Sequence, residues 1–93
     1  MSLSQITREA VLQALQECDR LGRDRFLEHY GFRRASSYYL SFEGSIYDSK
    51  AILGVAHKYQ FPLQGPLKSS QFTGGRRTVK AILERLGFTV VVK

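Results

Sequence analysis

Tyr38-Tyr39-Leu40-Ser41-Phe42-Glu43-Gly44-Ser45-Ile46-Tyr47-Asp48-Ser49-Lys50-Ala51-Ile52 is the stretch on which the fold turns. Tyr38–Phe42 is aromatic and strand-like, Glu43-Gly44-Ser45 is turn chemistry, and Ile46-Tyr47 opens a short return strand. Asp48-Ser49 then reads as an N-cap, starting a helix from about Ser49 to Tyr59 with Ala51, Ile52, Val55, Ala56 and Tyr59 toward the core. A hairpin running directly into a helix lacks the βαβ alternation of a parallel sheet, so the class is α+β. Gly54 sits inside that helix at a cost of roughly 1 kcal/mol relative to Ala. Its expected use is close approach by a neighbouring element.

On the N-terminal side, Ile6, Ala10, Val11, Ala14, Leu15, Cys18 and Leu21 recur at helical spacing. They predict a helix from about Thr7 to Leu21, capped by Ser4 or Thr7 and ended by Gly22. A second, shorter helix follows from about Asp24 to Tyr30, stopped by Gly31. On the C-terminal side, Gln60 to Gln71 holds both prolines and reads as a loop. Phe72-Thr73-Gly74-Gly75-Arg76-Arg77 leads into a helix to about Leu86, and Phe88–Val92 is a β-branched closing strand beside the hairpin. The predicted order is α-α-β-β-α-α-β: one small domain over residues 1–93, helices packed against a small antiparallel sheet.

The 93 residues carry a formal charge of +6. Met1–Asp48 holds six basic and seven acidic residues, whereas Ser49–Lys93 holds eight basic residues and one acid, Glu84. Such asymmetry points to a polyanionic partner. The leading expectation is nucleic acid, ahead of a solvated basic face or an acidic membrane surface. No run of about 18 apolar residues is present. The polar start lacks a signal peptide's apolar stretch, and the lone Cys18 fits a reducing cytoplasm.

Thr73-Gly74-Gly75-Arg76-Arg77-Thr78-Val79-Lys80 is the strongest candidate for phosphate binding. Glycines let backbone amides approach a ligand, and a helix start favours an anion. Arg76, Arg77 and Lys80 add full charges. Arg33-Arg34-Ala35-Ser36-Ser37-Tyr38-Tyr39 is the second candidate, with arginines and serines for phosphate and a tyrosine for stacking. Tyr38 and Tyr39 must face opposite ways on a strand, so one is expected to be exposed. Lys50 lies in a first helical turn, where the dipole disfavours a cation and an external anion would compensate. If six or so phosphates are neutralised, log K falls with log[salt] at a slope of roughly −5.

Enzymatic readings find little support. A Walker-type phosphate loop is absent, and His29, His57 and Cys18 show no metal-ligand spacing. No nucleophile motif or paired catalytic carboxylates stand out. No catalytic residue, metal or cofactor is expected. The rival reading is a protein-interaction domain presenting the aromatic hairpin as an apolar patch.

Tyr39, Leu40, Gly44, Tyr47-Asp48-Ser49-Lys50-Ala51-Ile52, Gly54 and Ala56, then Phe72-Thr73-Gly74-Gly75, then Leu83, Leu86-Gly87-Phe88, resemble the N-terminal head domain of McrA-type (ScoMcrA-like) restriction endonucleases. That resemblance covers about Tyr38 to Val92. Those proteins are HNH nucleases acting on modified DNA, and their heads precede further DNA-binding modules and a C-terminal nuclease. It implies a module that binds double-stranded DNA, methylated or otherwise modified, for a nuclease domain elsewhere in a parent chain. Tyr38, Tyr39 or Tyr47 would then meet a methyl group or an extruded base.

Overall fold

The computed structural model describes residues 3–35 and 37–93. A 3₁₀ turn (Leu3–Gln5) leads into α1 (Arg8–Leu21), followed by α2 (Arg23–Tyr30), β1 (Tyr38–Phe42), β2 (Ser45–Asp48) and α3 (Ser49–Gln60). A second 3₁₀ turn (Ser69–Gln71) precedes a π-helical turn (Arg76–Lys80), α4 (Ala81–Arg85) and β3 (Thr89–Val92). The α+β class and the order α-α-β-β-α-α-β hold.

β1 is central in an antiparallel sheet of order β2-β1-β3. Tyr39 faces Asp48 and Phe42 faces Ser45 in the hairpin, while Tyr39 also faces Val91 across β3. A two-residue turn, Glu43 (φ 49°) and Gly44 (φ 84°), closes the hairpin. Two positive φ values give the turn the twist that antiparallel strands need. Side chains alternate, so Tyr38, Leu40 and Phe42 turn toward the core, where Leu40 is fully buried.

α1 packs along α3 behind that sheet face, and Ala10, Val11, Ala14 and Leu15 join Ala51, Ile52, Val55 and Ala56 in one core. Burying each Val, Leu or Ile contributes about 1.5–3 kcal/mol. Cys18 belongs to this core, and burial pushes its thiol up to about 11, which leaves it unreactive. Thr7 caps α1 through a bond from the Ala10 amide to its Oγ1 at 3.3 Å.

Gly54 is where α3 meets its surroundings most closely. A Cβ there would lie 2.6 Å from Phe32 Cζ and 3.2 Å from both the Leu67 carbonyl and Phe72 Cζ. The Gly54 carbonyl accepts the Leu67 amide at 3.0 Å, tying the 61–71 loop to the helix. His57, buried, holds the same loop. Its Nδ1 lies 2.7 Å from the Gly65 carbonyl, which can only accept, so Nδ1–H donates.

Two expectations need correction. Asp48 occupies the N-cap position of α3 but makes no side-chain cap, because its carboxylate is drawn to other partners. The expected helix up to about Leu86 is two five-residue pieces, π then α, ending at Arg85. Gly87 (φ 90°) supplies the left-handed residue that turns the chain into β3.

Candidate nucleic-acid interface

The segment between α2 and β1, the β2–α3 junction and the diglycine converge on one cleft of about 400 Å³. Arg33, Arg34 and Ser37 come from the first, with Tyr38 at the start of β1, Lys50 from the second, and Gly74 and Gly75 from the third. These are seven of the residues singled out in the sequence, gathered from positions more than forty apart in the chain.

Lys50 is set in the cleft by its surroundings. Its Nζ donates to the Ser69 carbonyl at 2.8 Å and to Ser69 Oγ at 3.3 Å, and lies 5.1 Å from the centre of the Phe72 ring. All three partners are neutral, so the ammonium keeps its full charge. Its stem packs on Gly74, where a Cβ would sit 2.9 Å from Lys50 Cδ. A side chain at position 74 would therefore have to push the Lys50 stem aside. Gly75 is different: its φ is −87° and a Cβ there would meet nothing within 4 Å.

The opposite wall is built by a clamp that was not legible in the sequence. Asp48 accepts a bidentate pair from Arg23 at 2.7 and 2.8 Å and the Ala35 amide at 2.8 Å. Burial pushes its carboxyl up, but the Arg23 bonds, the Ala35 amide and the charges of Arg23 and Arg34 outweigh this and hold it below the usual carboxylate range. The clamp fixes the loop that presents Arg33 and Arg34. Tyr39 adds to it by donating its hydroxyl to the Ala35 carbonyl at 2.7 Å. Arg34 also pairs with Asp24 at 2.7 Å, with both side chains exposed.

The basic turn lies beside the cleft rather than inside it. Arg76, Arg77 and Lys80 line a separate shallow depression with Glu84, joined to the cleft through Gly75. Lys80 is partly neutralised by Glu84 at 2.9 Å, one turn on. The Thr78, Val79 and Lys80 amides all lie 3.1–3.5 Å from the single Gly75 carbonyl, as a wide π turn requires. The expected regular helix start is thus replaced by a wider π turn.

The other expected residues have structural duties. Thr73 Oγ1 pairs with Thr78 Oγ1 at 3.0 Å across the start of the turn. Tyr39 braces the loop from the opposite sheet face. Tyr47 lies outside the cleft: it is buried, and its hydroxyl donates to Asp19 at 2.8 Å. Burial, with that bond, pushes its hydroxyl up to about 12. Ser36 lies outside the described residues. Three further cations are engaged elsewhere. Arg8 and Arg85 hold backbone carbonyls near the chain start and end, and Lys58 pairs with Glu17. Among the described residues no cluster of His, Cys, Asp or Glu is arranged to hold a metal ion. No helix among them is long and apolar enough to cross a membrane.

No curated protein matches the chain. Among solved structures, one described as the Type IV phosphorothioation-dependent restriction endonuclease ScoMcrA is similar to it at 42% identity and a TM-score of 0.68. The match covers 95% of this chain and 13% of that one, so the chain spans a small part of that protein's length. The sequence pattern of the ScoMcrA-like N-terminal head domain matches residues 4–92, and the chain belongs to that family.

Proposed function

We propose that this chain is a DNA-binding head that grips the phosphate backbone of a duplex through the cleft and the adjoining basic turn. The observation that carries this reading is the convergence of Arg33, Arg34, Lys50 and the Gly74-Gly75 backbone on one concavity beside Arg76 and Arg77. Phosphate contacts of this kind position a protein on DNA and carry no sequence information by themselves.

The salt dependence follows from which cations are free. Arg33, Arg76 and Arg77 have no ion-pair partner among the described residues, and Lys50 is held by neutral groups. Arg34 and Lys80 are already paired. Four phosphates rather than six give a slope of log K against log[salt] of roughly −4. Fluorescence anisotropy on a labelled duplex across a salt series measures it. A flat response contradicts the reading.

In this reading the head anchors DNA and performs no cleavage, the cutting residing in another part of a parent restriction endonuclease. A duplex incubated with the chain and Mg²⁺ stays intact, and nicking would contradict this. Sensing of modified DNA is the finer reading, supported by the relative's description as phosphorothioation-dependent. Such a mark replaces a non-bridging phosphate oxygen with sulfur, whereas methylation marks a base. Matched plain, methylated and phosphorothioate duplexes separate the cases, and equal affinities for all three confine the head to anchoring.

The interaction-domain reading finds less support. Ile46 and Val92, the exposed large apolar residues of the sheet, lie on opposite faces of it, so the hairpin presents no joint patch.

A further inference from the structure

A duplex backbone crossing the protein needs only protruding cations. The cleft is more than that: a hollow of about 400 Å³, within the range of roughly 300–1,000 Å³ typical of small-molecule sites. Its lining is mixed. Phe32, Ala35, Tyr38 and Ala51 are apolar or aromatic, Arg33, Arg34 and Lys50 are cationic, and the one carboxylate, Asp48, is paired with Arg23. Phe32 and Ala51 are buried and held by the core, and Tyr38 is half-buried at the start of β1. The Arg23–Asp48 clamp and the Lys50–Ser69 bonds fix both walls. The hollow is therefore formed before any ligand arrives.

A group that fits such a site has a flat, largely apolar body next to an anionic charge. We propose that the cleft admits one unpaired nucleotide of a DNA strand, with its base against Tyr38 and its phosphate between Arg33 and Lys50. This rests on the DNA-binding reading above and adds to it a preference for DNA in which a base has left the stack. Removing a base from a paired duplex costs a few kcal/mol, and the cost is least where the base is already unpaired. The preference thus shows first on bulged or mismatched DNA. Stacking of one base on an aromatic side chain predicts roughly tenfold tighter binding.

The test compares a labelled 20-base-pair duplex with the same duplex carrying one bulged 2-aminopurine. The full chain should bind the bulged form about tenfold more tightly and change the 2-aminopurine emission. Two variants block the hollow. Gly75→Leu adds a side chain where a Cβ has open space, and Ala35→Trp fills the hollow from a residue whose backbone alone is used by the clamp. Each should bring the bulged-to-paired affinity ratio close to one, and a melting curve shows which variants are folded. Tight duplex binding with equal affinity for the bulge overturns the nucleotide pocket while leaving the anchoring reading intact. A ratio that survives in both folded variants overturns it too. Absence of binding to either duplex overturns the anchoring reading itself.

Discussion

Three glycines show how single positions set this structure. Gly54 has no room for a methyl group between Phe32, Phe72 and the Leu67 carbonyl. Gly54→Ala gains helix propensity but overpacks the core, and a net loss of about 1–2 kcal/mol is expected in urea unfolding. Gly74→Ala should displace the Lys50 stem and lower DNA affinity, since its Cβ would lie 2.9 Å from Lys50 Cδ. Gly75→Ala should leave the urea midpoint within about 0.5 kcal/mol of the parent protein. Equal destabilisation by the two would contradict the different surroundings found for them. The sequence singled out Gly54 correctly, because a glycine inside an apolar helical stripe costs stability and implies a neighbour. It could not separate Gly74 from Gly75. That difference lies in Lys50, more than twenty residues away, and no local pattern encodes it.

At the level of elements, two buried carboxylates join parts of the fold that are remote in sequence. Glu17 on α1 accepts the hydroxyl of Tyr59 at 2.5 Å and that of Tyr30, and pairs with Lys58 at 2.8 Å, linking α1, α2 and α3. Burial pushes the Glu17 carboxyl up, but Lys58 and the two tyrosines outweigh it and hold it below the usual range. Asp48 is held low in the same way by Arg23 and the Ala35 amide. Both folded-state pKa values lie below the unfolded ones, near 4.3 and 3.9. Their stabilisation is complete above those unfolded values and is lost as pH falls through the lower folded ones. Urea midpoints at pH 7, 5 and 3 should therefore be level over the first interval and fall over the second. Glu17→Gln should cost about 1–2 kcal/mol at pH 7 and flatten the fall, because the half-buried Lys58 loses its counter-ion and the two tyrosine hydroxyls lose a charged acceptor. These clamps were invisible to sequence reasoning, which took Asp48 as an ordinary helix cap and singled out no role for Glu17. Elements built on local periodicity, such as α1 and the β1–β2 hairpin, were legible. The π turn at Arg76–Lys80 was not, since its sequence looks like the start of an ordinary helix.

For the molecule as a whole, the sequence located an excess of cations in the second half, but the fold distributes them by task. Lys58 and Arg85 serve the interior and the chain ends, while Lys50 joins Arg33 and Arg34 from the first half at the cleft, with Arg76 and Arg77 in a separate depression beside it. The proposed interface thus draws on both halves, brought together by antiparallel pairing of β1 with β2 and by the β2–α3 junction. Charge counting along the chain pointed to a polyanionic partner without showing which cations the fold gathers at the cleft. The most direct measurement of the central claim is the salt dependence of duplex binding, with the parent chain set against the Arg76→Ala/Arg77→Ala double variant. The expected result is a slope of roughly −4 for the parent, reduced by about two in the variant at every sequence tested. A flat parent response, or an affinity and slope unchanged by removing both arginines, would contradict the proposed surface.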